Sequence, residues 1–454
     1  MTDFLRHRLR HARLDSGRVL GGGVSPHLTR GRSAGLTESR HLVLKRLMAS
    51  RARTRGREFL DAGTDSTYPF FDGYGPTESA LDAMTASAAA ARNYPSSFGL
   101  LELREAMAGL LARQFGVEVD HRTELMITNG ASQAFDALSR SYAGEYVLLP
   151  ELALSTVESI SVGNGAAPVR VPLGPDHRLD PAALEETIDR LGEHRLRFLY
   201  LNSPANPTGV VYGRGELSRI VQIARAHRVL VIHDHDSWFT THQGHRSVSI
   251  LEIPGAQEIA VAVLSLSKEL GLPGLRVGAV AGCAEVVNTL RVHNSLFSVM
   301  IPEFCQRAAS EALRRFRPDA ARERLQKEIG SSLRVALQGL RELGWPEQAV
   351  LPPSAGYKFL FRPPPSFSFT GDPSGVELFD FLLARDASVK LSTSRSFNHE
   401  DQGWMRIILM QTEQRMKELF SRLHEIGVSY TMPMPAGLVD DYRTVMSGHD
   451  LSNL

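Results

Sequence analysis

The chain has 454 residues, more than one typical domain needs and enough for two. With 43% hydrophobic and 22% charged residues it has a globular composition, and no apolar run reaches the roughly 18 residues that span a bilayer, which sets membrane-spanning classes aside. A net charge of +1 gives no chain-wide basis for nucleic-acid binding, and the only two cysteines, Cys283 and Cys305, form neither a disulfide framework nor a zinc spacing.

Residues 1–60 carry 14 Lys/Arg against 4 Asp/Glu. Within them, 1–35 are rich in Arg, Gly and Ser without a period and read as mobile, while 36–60 fit a basic helix. This start lacks the apolar core of a signal peptide, and with so few cysteines the chain reads as cytoplasmic. Helices are expected over 78–92, which is alanine-rich, and 100–115. Strands and helices then alternate: strand 124–128, helix 132–142, strands 146–150 and 168–172, helix 181–192, strand 197–201, helix 215–227, and strands 229–233, 259–265 and 276–282. Asp180-Pro181 marks one helix start as N-cap and first-turn proline. Alternation of this kind predicts an α/β fold, a largely parallel sheet covered by helices. From 302 to 343 the chain reads as helix broken at Pro318, followed by strands 355–361 and 404–410 and helices 374–385 and 412–426. That is a smaller α+β domain, built from 61–85 with 306–430 beside a large domain over 86–305. Residues 431–454 read as a tail with little core.

Chemistry concentrates where these elements meet. The apolar run Ile259 to Leu264 leads into Ser265-Leu266-Ser267-Lys268, and Pro273-Gly274-Leu275-Arg276-Val277-Gly278 follows. Lysine forms Schiff bases with carbonyl cofactors, and hydroxyls with a guanidinium suit a phosphate. Together they describe a site for a phosphorylated aldehyde such as pyridoxal 5'-phosphate (PLP). Three other segments agree. Asn202-Ser203-Pro204-Ala205-Asn206-Pro207 follows an apolar strand, and its Asn206 amide suits the cofactor's 3'-oxygen. The run Val229 to Ile232 ends in His233-Asp234-His235-Asp236, where an open α/β sheet places ligand-binding groups, and Asp234 can keep a pyridine nitrogen protonated. Thr128-Asn129-Gly130-Ala131-Ser132 opens a helix whose first N–H groups can meet a phosphate.

In this order the segments resemble the class I/II aminotransferases of PLP fold type I, the aspartate aminotransferase superfamily. Asn93-Tyr94-Pro95 with Gly99-Leu100-Leu101-Glu102-Leu103-Arg104, and Trp404-Met405-Arg406-Ile407, extend the resemblance over roughly residues 65 to 430. It implies a three-layer PLP-binding large domain plus the smaller α+β domain, and transamination of an L-α-amino acid through a Lys268 Schiff base. It further implies phosphate contacts from the backbone at Ala131 and Ser132 and from Ser265, Ser267 and Arg276. Tyr94 would reach the phosphate in the partner subunit of a homodimer with a shared active site. Arg406 would pair with the substrate carboxylate, the other reactant being a keto acid. No nucleic-acid, membrane or metal partner is implied.

Two positions depart from the family pattern. Ser237 stands where a tyrosine usually meets the 3'-oxygen, and Leu154 stands where an aromatic usually stacks on the ring. The alternative is therefore a same-fold enzyme of secondary metabolism that performs oxidation or hydroxylation, cyclisation or elimination. His235 and Asp236 are further candidate acids or bases near the ring, and His233 with His235 has a metal-like spacing that the role of Asp234 outweighs.

Overall fold

A basic helix, Arg40–Thr54, leads into the short strand β1 (Leu60–Asp61). The computed structural model describes residues 40–54, 56–64, 76–142, 144–238, 241–242, 245–297, 301–394 and 403–447. The segment expected to be mobile, 1–35, lies outside them.

Seven strands form the main sheet: β2 (Leu125–Thr128), β3 (Tyr146–Pro150), β4 (Ala167–Val171), β5 (Leu196–Asn202), β6 (Val231–His235), β7 (Ala260–Ser265) and β8 (Gly278–Gly282). Their spatial order is β2-β8-β7-β6-β5-β3-β4. The pairings of β3 with β4 and β5, and of β6 with β5 and β7, are parallel, while β8 runs antiparallel to both β2 and β7. The central strands are apolar on both faces, as a sheet between two helix layers requires. In β5, Leu199 and Leu201 enter one core and Phe198 and Tyr200 the other, so alternate residues feed two separate layers. Helices Gly130–Ser141, Pro181–Leu191 and Arg214–Ala226 fall where the sequence pattern places them.

Past the 25-residue helix Pro318–Glu342 come β9 (Val350–Leu351), β10 (Lys358–Phe361), β11 (Val389–Lys390), β12 (Ser392–Thr393) and β13 (Met405–Ile408). Four of them make an antiparallel sheet in the order β12-β13-β10-β9. β11 instead pairs in parallel with β1, Leu60 opposite Val389, which brings the early chain against the late one.

Three helices were not expected: Ser155–Gly163, Ala284–Phe297 and Leu438–Met446. The last corrects the reading of 431–454 as a tail with little core, because Leu438, Tyr442 and Val445 are buried at helical spacing. β6 begins two residues later than the apolar run suggests and ends at His235, so Asp234 lies within the strand. Among the described residues no helix is long and apolar enough to cross a membrane.

Candidate active site

The sheet register brings the predicted residues together at the carboxyl ends of β5, β6 and β7. Asn202 of β5 lies beside Asp234 of β6, and its side-chain amide donates to the Asp234 carbonyl at 2.9 Å. The Asn202 side-chain oxygen accepts from the Asn206 N–H, which ties the Asn206 loop to the same strand end. Asp234 is 2% exposed. Tyr200 Oη donates to its Oδ2 at 2.8 Å, whereas its buried Oδ1 has no hydrogen-bond partner among the described residues. Burial, and then the Asp236 charge, push the Asp234 pKa up to about 8, against the Tyr200 hydrogen bond and the Lys358 charge.

β7 carries the next group. Ser265 caps a one-turn helix, Leu266–Glu269, by accepting from the Ser267 N–H at 3.2 Å, and Lys268 sits half-buried on that turn. Both serines are buried. Gly278 of β8 lies opposite Ser265 on one side and Thr128 of β2 on the other. This places the start of helix Gly130–Ser141 beside Ser265. No side chain of its N-cap, Asn129, caps that helix, which leaves the first-turn N–H groups at Ala131 and Ser132 for another acceptor. Arg276 arrives on a left-handed residue (φ 55°) and lies against Gly130. A Cβ on Gly130 would be 2.5 Å from Arg276 Nη2, and one on Gly278 would be 3.0 Å from the Gly130 carbonyl carbon. Two glycines therefore let a guanidinium, a helix N-terminus and a serine hydroxyl converge.

The antiparallel sheet supplies Arg406, 7% exposed on β13. Its Nη1 donates to Asn206 Oδ1 at 2.9 Å, and its Nη2 to Ser392 Oγ at 3.0 Å and the Gly63 carbonyl at 3.1 Å. Ser392 is the register partner of Arg406 across β12 and β13. The guanidinium is thus held as a planar fork at the Asn206 loop.

Tyr94 is not brought into this cluster by its own chain: it is 89% exposed. His235 is a correction. Successive strand residues face opposite ways, and its ring packs against Phe115 at 5.3 Å on the far side from Asp234. Burial lowers its pKa to about 3, so it stays neutral and is no acid or base for the cleft. His233 lies on that same face, 4.1 Å from His235 between ring centroids, and its Nδ1 accepts from the Ile250 N–H at 3.0 Å. Ser237 donates to Asp236 Oδ1 at 2.9 Å, and Leu154 is a half-buried N-cap.

Sequence reasoning missed Tyr200, Gly63, Ser392 and Lys358. Tyr200 left one trace, a hydroxyl in the otherwise apolar run Phe198 to Leu201, two residues before Asn202. The other three are distant in sequence from what they touch and left none.

The sequence model of the family "Aminotransferase class I and II" matches residues 64–423. An LL-diaminopimelate aminotransferase of Gloeobacter violaceus is 30% identical over 344 residues, covering 74% of this chain and 84% of that protein. An aspartate aminotransferase of Pyrococcus abyssi is 29% identical over 339 residues, with 74% and 84% covered. The crystal structure of an aromatic aminotransferase from Pyrococcus horikoshii superposes with a TM-score of 0.71 at 26% identity, over 83% of this chain and 98% of that one. A sequence match over most of the chain, on a fold that brings a lysine, a buried aspartate and an arginine fork together, makes this protein a member of the class I and II aminotransferase family.

Proposed function

We propose that the site holds PLP on Lys268 and moves an amino group between an L-α-amino acid and a keto acid. The observation that carries this reading is the unpartnered Oδ1 of buried Asp234. A protonated pyridine nitrogen is the donor that this oxygen lacks, and a cation there draws the carboxyl back towards its ionised form. The glycine-lined meeting of Arg276 with the helix start at Gly130 likewise fits a phosphate dianion.

When bound, PLP supplies an aldehyde and an electron-accepting ring. Lys268 would hold the aldehyde through its amine, and the same amine would serve as the base that carries the proton at the substrate Cα. Ser265, Ser267, Arg276 and the N–H groups at Ala131 and Ser132 take the phosphate. Asn206 would take the 3'-oxygen. Arg406 receives the substrate carboxylate on Nη1 and Nη2, the atoms now occupied by Asn206 and Ser392. Tyr94 completes the phosphate site of a second copy in a homodimer. Oxidation, cyclisation and elimination draw on the same residues, but the similar proteins above bear aminotransferase names, and transamination is the reading we adopt.

The test is an absorbance spectrum of the protein saturated with PLP. A yellow lysine Schiff-base band is expected in the wild type and absent from Lys268→Ala. Donors to try first are LL-diaminopimelate, aspartate and aromatic amino acids. The right donor should bleach the band anaerobically and leave pyridoxamine 5'-phosphate, and a keto acid should restore it. Product formation with no pyridoxamine 5'-phosphate would instead support oxidation, cyclisation or elimination. Absence of the band in the wild type would remove the cofactor reading altogether.

A further inference from the structure

We propose that Lys358 is a positioning residue of this site: its ammonium neutralises Asp236, so that Asp234 is the acid at the end of β6 left for a cation to ionise and pair with. This inference rests on the cofactor reading above and extends it to a residue on the other sheet.

Lys358 is 3% exposed, and its Nζ lies 3.0 and 3.3 Å from the two carboxylate oxygens of Asp236. Ser237 Oγ, itself bonded to Asp236, is 3.5 Å from the same nitrogen, and the Tyr357 ring centroid is 4.4 Å away. On β10 and β13, Leu360 pairs with Arg406 and Lys358 with Ile408. Directly opposed residues share a face, as do residues two apart, so Lys358 and Arg406 project from one face of the antiparallel sheet. One meets β6 through Asp236 and the other meets the Asn206 loop after β5.

A buried ion pair is a poor way to fasten two sheets. Desolvation offsets most of its attraction, and apolar residues of similar size often do as well. The Arg406–Asn206 bond already joins the same two parts. The need for a lysine lies in the spacing of two acids. Asp236 is two residues from Asp234, and a second negative charge that close favours the protonated form of the first. A protonated Asp234 offers an O–H where the site requires an acceptor.

The surroundings leave Lys358 as the balancing group. From β5, Tyr200 faces Asp234 and donates to it. From β7, its register neighbour is Val263, which does not titrate. His233 and His235 lie on the other face and are held neutral by burial. Asp236 drives the Asp234 pKa up and Lys358 draws it down, as the geometry requires.

The experiment uses full-length wild type, Lys358→Met, Lys358→Arg and the double variant Lys358→Met/Asp236→Asn, with folding checked by circular dichroism. PLP affinity is measured by absorbance titration of cofactor-free protein from pH 6 to pH 9. Binding a pyridinium requires Asp234 to give up its proton, so affinity should rise with pH. In Lys358→Met the midpoint of that rise should move up by about one unit or more, an affinity loss of about tenfold at fixed pH. Lys358→Arg should retain the wild-type midpoint. The double variant, which removes both charges, should return most of the way to it. If Lys358→Met and the double variant weaken binding equally with no change of midpoint, Lys358 is only a fastening and the proposal fails. If the wild type shows no Schiff-base band, the cofactor reading fails first, and this inference with it.

Discussion

A carboxyl buried as deeply as Asp234 is costly to ionise until something positive meets it. In the cofactor-free protein its pKa is raised from 3.8 to about 8. Between those values the folded protein keeps a proton that the unfolded chain has released. Its contribution to stability is therefore fully present below about pH 4 and is lost as pH rises to about 8. Asp234→Asn removes this titration. Without cofactor, the variant should melt higher than the wild type at pH 8, with the advantage vanishing near pH 4. Its affinity for PLP should fall at least about tenfold, because an amide turned to offer N–H opposes the ring N–H rather than accepting it. Thermal melts across pH, with and without cofactor, check both halves; a variant that gains no stability at pH 8 would show that Asp234 is not a strained acid. At this scale the sequence displayed Asp234, Lys268, Asn206 and Arg406, because each stands beside a turn or strand end that marks it. It did not display Tyr200 or Lys358, whose meaning depends on which strands lie side by side.

Among the elements, the proposed phosphate cradle is the one whose local rules are easiest to break. Gly130 has φ 68°, and a Cβ there would press on Arg276. Gly116 ends helix Leu101–Phe115 with φ 65° and has nothing within 4 Å of its missing Cβ. Alanine at either position meets the same left-handed penalty of about 1–2 kcal/mol. Only Gly130→Ala should also weaken PLP binding, by displacing Arg276 from the helix start. Equal losses of cofactor affinity in the two variants would mean that Gly130 matters for backbone conformation alone. The main sheet was legible because its strands are Val, Ile and Leu runs between polar helices. Helix Ser155–Gly163 was not, since its sequence, STVESISVG, is poor in helix formers and is stabilised by packing of Val157. In Ala284–Phe297 the residues Val286, Val287 and Asn294 similarly obscure a helix that tertiary contacts impose. The later end of β6 has a related cause: composition ends the strand at its charged residues, while backbone pairing with β7, Asp234 opposite Val263 and His235 opposite Leu264, carries it on to His235.

On the surface of the whole molecule several large side chains stand open to solvent. Tyr94 is 89% exposed, and Leu296 and Phe297 are 68% and 73% exposed. Large apolar side chains left so open suit burial against another surface. Our proposal gives Tyr94 to the active site of a second copy, and that assignment has a consequence for mixed dimers. Tyr94→Ala and Lys268→Ala should each be impaired alone, the second completely. In a hybrid of the two, one site contains both altered residues and the other contains neither. Equal mixing makes half of the dimers hybrids, each with one intact site of two, so activity should recover to about a quarter of the wild-type value. If Tyr94 served its own chain's site, every site in the hybrid would carry one defect and mixing would restore nothing. Subunits tagged separately and exchanged under mild denaturant allow the hybrid to be isolated and its mass confirmed. Recovery would establish that the site is shared and that Tyr94 reaches from one chain into another, because two chains that each lack one part rebuild a working site only by pooling residues across an interface, and the mass of the hybrid then identifies the dimer.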